Sequence, residues 1–470
     1  MIMSLDFSNV KSWNIPEGEV LSASLNGVTV WEKQSPTPTP AITADVTFID
    51  YDGTILYEYT AADFLNLSAL PATVDHTSLC DGLGTGTWNV YSLDVAKNQV
   101  RKYGKSIFGQ TCMLLRTDRI TDTGATPCYT IFYEDVTGST FNISYGLAWT
   151  SSYTIYFDDG VSVSSISPTS ATNTYKSLST NGSSSGMVAV AAKYSGSSIK
   201  INLSTDSDSS KQSYYLTSPV AYKKDTDDTY LNRKVKKMYI SGVTKGLCAN
   251  YTRDCMKNYE NLTHINLSPD TEFYSGAIYL TGYLLSNSGL TELVIPRTFP
   301  LDRRPNTTSS TVDRYYSLVC SSPNLKYISY PVTNSATVSG YMPYTTNATS
   351  LEKLYVPYTT YKMIYVGNDC TGLKEVILPC GPLNNNGEEQ SGYGTTINSC
   401  FKNCTSLESI KFTRSYGNGT ASDSQLVSIS NNSFQNLPTT CKIYVPNSCL
   451  TQYKSISGMP DPTVYEYIGY

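Results

Sequence analysis

Apolar and polar positions alternate in one phrase that this chain repeats across its C-terminal half. The copies are Leu262-THINLSP, Leu290-TELVIP, Leu325-KYISYP, Leu351-EKLYVP, Leu373-KEVILP, Leu407-ESIKFT and, from Thr440, TCKIYVP. Each has the form L-x-x-φ-x-φ-P or a close variant, with φ apolar. Two apolar residues spaced two apart point to the same side of a strand. The pairs Ile265/Leu267, Leu293/Ile295, Ile328/Tyr330, Leu354/Val356, Val376/Leu378, Ile410/Phe412 and Ile443/Val445 are therefore predicted core positions. The proline that ends most copies cannot donate a ladder hydrogen bond and stops the strand. Stacked copies predict a parallel sheet, one short strand per turn, with turns and short helical pieces on the other side. The leading leucines lie 22 to 35 residues apart, which puts insertions in the loops between strands. The segment KVKKMYISGV, from Lys234, is a degenerate copy and reads as an N-terminal cap, because terminal repeats are atypical.

The residues between each apolar pair point outward: Asn266, Val294, Ser329, Tyr355, Ile377, Lys411 and Tyr444. One step before each pair stand His264, Glu292, Tyr327, Lys353, Glu375, Ser409 and Lys442. This row is mixed in charge and rich in tyrosine. It reads either as a recognition face or as an ordinary solvated sheet face. As a recognition face, its contact residues are Tyr327, Tyr355 and Tyr444, with His264, Asn266, Lys353 and Lys411 beside them.

Upstream, the pattern divides into smaller units. Residues 1–34 contain LSASLNGVTVWEK, where Asn26-Gly27 is a hairpin signal because both residues tolerate positive φ. So small a unit cannot bury enough surface alone and is expected to dock onto a partner. SPTPTP, within a linker at 35–41, is a semi-rigid extended spacer. A small α+β domain is expected over 42–138. It has a VTFIDYDGTILYEY hairpin turning at Asp52-Gly53 and a helix capped by Ser92 and ended by Gly104. Leu93, Ala96, Val100 and Tyr103 share one face of that helix, and CMLLR and YTIFYED add strands. Residues 139–228 are rich in Ser, Thr and Gly and read as a β-sandwich of immunoglobulin-like size. It includes a YTIYFDDGVSVSS hairpin and the strands MVAVAAKY and SIKINLS. The repeats fill 229–470. The expected fold class is mainly β and multidomain.

Composition narrows the function. Charged residues are 16% of the 470-residue chain against 40% hydrophobic, so its polar surface comes from Ser, Thr, Asn and its 39 Tyr. Tyrosine is both a favoured strand residue and a low-entropy contact residue. The net charge of −5 and the lack of a dense basic run give no support to nucleic-acid binding. The first residues lack the basic and apolar regions of a signal peptide, and no segment is apolar enough to span a membrane, so no membrane insertion is expected. Of the twelve Cys, Cys320, Cys370 and Cys404 recur just before repeat leucines, as small buried thiols stacked in register would. No C-x-x-C occurs, and no metal or cofactor is expected.

Two resemblances add to this reading. NATSLEKLYVP and CFKNCTSLESIKF resemble BspA-type leucine-rich repeats. The closing CKIYVPNSCLTQYKSISGMPDPTVYEYIGY resembles the terminal module of such arrays: an IYVP strand, a short helix containing Tyr-Lys, and a final strand. This resemblance covers about 230–470 and implies a leucine-rich-repeat solenoid. IPEGEVLSASLNGVTVWEK is similar to the opening of bacteriophage tail-associated proteins, and VTFIDYDGTILYEYTAADFLNLSALPA to a module that follows it in phage and gut-bacterial proteins. The 150–225 stretch is similar to a PKD-like sandwich, although YFDDG departs from its WGDG-type turn.

Catalytic signatures are lacking. The two histidines, His76 and His264, stand in no nucleophile or zinc motif. Asp158/Asp159, Asp206/Asp208 and Asp225/Asp227/Asp228 sit in Ser- and Gly-rich stretches where Asp serves turns. The expectation is a non-enzymatic structural protein of a phage virion, tail- or fibre-associated. Residues 1–34 attach it to other virion proteins, and the repeats touch a host cell-surface glycan or protein. Multiple copies, as a homo-oligomer, would supply avidity. A capsid-bound head fibre or decoration protein without a receptor, and a bacterial surface adhesin, stay open as alternatives.

Overall fold

The structure is a computed structural model. It describes residues 22–25, 28–32, 43–76, 83–114, 129–134, 141–148, 153–157, 161–166, 175–178, 187–194, 199–205, 215–218, 233–242, 254–257, 259–271, 283–286, 288–298, 317–332, 340–342, 344–358, 360–379, 395–415, 426–430 and 432–470. The linker prolines and the paired aspartates from Asp158 to Asp228 lie outside the described residues. The fold is mainly β, with several sheets and few helices. It forms two compact units, Met1–Ala41 and Ile42–Tyr470. In the first, β1 (Ser22–Leu25) and β2 (Val28–Glu32) pair antiparallel, closing with Leu25 opposite Val28.

The second unit opens with a four-stranded sheet in the order β4-β3-β6-β5, from β3 (Val46–Ile49), β4 (Ile55–Tyr59), β5 (Leu83–Trp88) and β6 (Ser106–Leu114). Gly53 turns the β3–β4 hairpin at φ 82°. Helix α1 spans Ala61–Leu65, and α2 spans Leu93–Tyr103. The Ser92 side chain accepts from the Val95 N–H at the start of α2, and left-handed Gly104 (φ 76°) ends it. Val46, Phe48 and Phe108 face the helices, packing with Phe64, Trp88, Val95, Val100 and Tyr103. Their strand neighbours Ile49 and Ile107 face the other way, onto Val294 and Tyr327 of the repeats. This sheet is thus buried on both faces.

The strand YTIFYED, β7 (Tyr129–Glu134), does not join this sheet, contrary to the sequence expectation. It pairs with the Ile199–Thr205 strand on one side and with the Lys237–Gly242 strand on the other. Ile131 on β7 is fully buried in the core of the repeats, which explains the allegiance. The strands Tyr153–Phe157 and Val161–Ile166 also differ from expectation. They form no hairpin and lie in different sheets, Tyr153–Phe157 beside Ile199–Thr205 and Val161–Ile166 beside Met187–Tyr194. A local turn signal specifies a change of direction; it does not specify which strand becomes the partner.

The repeats coil with three parallel ladders. The front ladder carries the predicted phrase, and its copies align in phase. Lys237 pairs with His264, Glu292 with Tyr327, and Lys353, Glu375, Ser409, Lys442 and Glu466 follow one another across five strands. Ladders of five and four short strands form the other faces. The KVKKMYISGV copy opens the front ladder. It is a full partner of the next strand, with Met238 and Ile240 buried, and β7 covers its outer edge.

All seven apolar pairs and all six leading leucines are buried. Burying a side chain of this size contributes roughly 1.5–3 kcal/mol, so the repeated positions hold the stack together. Cys370, Cys400, Cys404 and Cys441 are buried free thiols in the same core. Asp369, Asn403 and Asn436 occupy one corner at positive φ. There the Asn403 amide donates to Asp369 (2.7 Å) and the Asn436 amide to Asn403 (2.6 Å), so the corner residues brace one another from turn to turn. At the C-terminus the helix Leu450–Ser455 buries Tyr453 beside Phe412, and the Glu466–Gly469 strand closes the front ladder.

Candidate functional site

The outward row of the front ladder is the predicted site, and most of it is covered. The sheet β4-β3-β6-β5 and helix α2 lie over it. Asn266 is fully buried: its side-chain oxygen accepts from the Cys112 N–H (2.8 Å) and its amide donates to the Cys112 carbonyl (2.9 Å). Ser329 donates to the Ile107 carbonyl at 2.8 Å, and the Asn89 amide donates to the Ser329 hydroxyl at 2.9 Å. Val294 faces Gly109, where an added Cβ would stand 2.4 Å from a Val294 methyl. Close approach is possible because Gly109 has no side chain. Further along, the Tyr103 hydroxyl donates to the Val356 carbonyl, the Gln99 side-chain carbonyl accepts from the Tyr358 N–H, and Ile377 joins the helix-side core.

The seven sequence-predicted contact residues therefore divide. Asn266 and Tyr327 (4% exposed) are enclosed and cannot meet a soluble ligand. His264 is half-buried and hydrogen-bonds Glu292 through Nδ1 at 2.8 Å. Tyr355, Lys353 and Lys411 are half-buried at the margin of the cover. The Tyr355 hydroxyl donates to Glu375 (2.9 Å), which also pairs with Lys105 (2.8 Å). Burial, with the Glu375 carboxylate, pushes the Tyr355 phenol well up; desolvation pulls the Lys353 and Lys411 amines down. Lys411 donates to the Tyr103 carbonyl (3.0 Å) and lies 4.4 Å over the Tyr470 ring. Tyr444 is partly exposed, between exposed Lys442 on its own strand and Tyr470 at the chain end.

VTFI and SIFGQTC are buried at every position, but the second holds Ser106, Gly109, Gln110 and Thr111 and does not read as an apolar run, so little in the sequence signalled the covering. Val294 and Ile377 are apolar residues on a row otherwise read as solvated.

A second constellation was not legible. Asp50, at the end of β3, His76, in the loop before β5, and Cys112, on β6, offer an oxygen, a nitrogen and a sulfur that all lie within 4.8 Å of one another. The Asp50 side chain is 2% exposed and His76 17%, and the Asp50 carboxylate bonds His76 Nε2. Asp50 also accepts from the Tyr51 N–H at 2.7 Å. The Gln110 amide donates to the Cys112 sulfur at 3.5 Å. Desolvation, then the Asp52 charge, pushes the Asp50 carboxyl up; desolvation, then Asp50, pushes the Cys112 thiol up to about 12. Tyr51 stands edge-on to His76 and its hydroxyl lies 3.5 Å from that of Tyr239. No local spacing links these three residues, since they come from separate strands and a loop.

No family model matches the chain, and no curated protein is similar to it. Among solved structures, a leucine-rich repeat protein from Bacteroides ovatus is similar to it at 14% identity and a TM-score of 0.22. That similarity covers 52% of this chain and 65% of the other, so the chain spans less than two thirds of that protein's length.

Proposed function

We propose that this chain is a non-enzymatic structural protein of a phage virion, tail- or fibre-associated. In this reading residues 229–470 are a BspA-type leucine-rich-repeat solenoid, 139–228 together with β7 a PKD- or Ig-like sandwich, and 1–34 a hairpin unit that attaches the chain to other virion proteins. The observation that carries the display role is the in-phase front ladder, a regular scaffold whose uncovered end presents Lys442, Tyr444, Glu466 and Tyr470. That end, rather than the whole row, is the surface offered to a host glycan or protein. Tyrosine and lysine side by side suit sugar rings and acidic groups, and repetition in a homo-oligomer raises a weak contact by avidity. The phage assignment is supported by the resemblance of IPEGEVLSASLNGVTVWEK.

The covered row favours a second reading. Burial of Asn266, Tyr327 and Ile377 makes the row, up to its fifth copy, largely an internal seam, as in a fibre or decoration protein without a receptor. One set of experiments tests both. Mass spectrometry of purified virus particles is expected to find the chain. Purified full-length protein is expected to compete with particles for adsorption to host cells, and K442E/Y444A protein to compete poorly. Absence from particles would refute the virion role. Presence without competition would leave the structural reading and eliminate the receptor one.

A further inference from the structure

We propose that Asp50, His76 and Cys112 form a binding site for one zinc-class divalent cation, which pins the segment carrying His76 to the sheet that covers the repeats. The donor set is the first argument. A thiolate, an imidazole and a carboxylate are the ligands zinc takes, at about 2.0–2.3 Å, with water able to complete four-coordination. Their ligand atoms lie within 4.8 Å of one another, and His76, the most exposed of the three, can turn to close the set.

Charge is the second argument. The Asp50 side chain is 2% exposed and hydrogen-bonds His76, and Asp52 stands two residues further along the chain. A buried carboxylate beside further acidic groups is costly, and a dication that takes the thiolate as well neutralises the group.

Positioning is the third. The Cys112 backbone is clamped on both its N–H and carbonyl by Asn266, and one Asp50 oxygen is held by the Tyr51 N–H. Gln110 reaches the Cys112 sulfur. Ligands held by outer hydrogen bonds are pre-set for a metal. Binding releases the Cys112 proton to solvent and needs no redox partner.

The test uses the full chain, stripped with a chelator and titrated with Zn²⁺, and with Co²⁺ as a spectroscopic probe. Elemental analysis is expected to return about one zinc per chain, and Co²⁺ to give a thiolate charge-transfer absorption. Cys112→Ser should abolish that absorption, and His76→Gln should weaken binding at least about tenfold. Cys370→Ser, which removes a buried thiol elsewhere, should change neither. Far-ultraviolet circular dichroism monitors the fold of each variant, and the half-buried His76 position makes H76Q the variant that best preserves it. Folded wild-type protein that takes up neither metal would overturn the proposal, leaving Asp50–His76 as a buried hydrogen-bonded pair. So would full metal retention in both C112S and H76Q.

Discussion

Gly109→Ala is the sharpest probe of how the β4-β3-β6-β5 sheet meets the repeats. Gly109 lies within β6 without a left-handed φ, so alanine there brings no backbone strain. Its Cβ, however, would stand 2.4 and 2.6 Å from the two Val294 methyls, well inside ordinary contact. One side must move, and overpacking of this kind costs about 1–3 kcal/mol. A cost near 2 kcal/mol corresponds to ~30-fold faster exchange of β6 amides that open with the seam. Val294→Ala alone removes two methyl groups from a buried site and costs about 1.5 kcal/mol. In the double variant the alanine at 109 meets only the residual Cβ, 3.0 Å away. The pair should therefore be less destabilised than the sum, with a coupling of about 1–2 kcal/mol. Hydrogen exchange by mass spectrometry, following peptides from β6 and from Glu292–Val294, measures each corner of the cycle. Additivity within about 0.5 kcal/mol would show that Gly109 and Val294 do not touch and would refute the covered row.

Asn266→Ala should cost about 2 kcal/mol or more, because it strands the buried Cys112 N–H and carbonyl; urea unfolding checks this, and no loss would mean that water reaches the seam. Leu351→Ala should cost about 2–5 kcal/mol as a cavity in the stack, with exchange rising first in the Lys353–Tyr355 and Glu375–Leu378 strands. The buried thiols Cys370 and Cys400 have their ionisation raised by burial from 9.0 to about 12. The folded chain therefore keeps protons that the unfolded chain releases, so stability present below pH 9.0 is lost as pH rises toward about 12. The loss is about 1 kcal/mol per pH unit for each thiol. Thermal unfolding at pH 8, 9 and 10 should show the decline, and Cys400→Ala should make it shallower; an unchanged slope would place Cys400 in contact with solvent.

How much of this was legible from the chain depends on distance along it. The repeat phrase determined a strand, an inward pair and an outward row, because side-chain alternation is a local property of extended backbone. Every predicted inward residue is buried. The Ser92 and Gly104 helix boundaries were readable for the same reason: a cap is satisfied within one turn. The choice of partner was not local. β7 reads as one more strand of its neighbourhood, yet Ile131 finds the repeat core. Tyr153–Phe157 and Val161–Ile166 flank a turn signal in the sequence and still fall in different sheets. The outward row is the clearest case. Alternation told which way Asn266 and Tyr327 point, and only tertiary structure decided that a sheet stands there instead of water. That sheet is buried on both faces along VTFI and SIFGQTC, although the second run is largely polar or glycine and does not announce it. The Asp50–His76–Cys112 group belongs to the same class: three residues from separate strands and a loop become neighbours because the chain packs that way, and no sequence spacing records it.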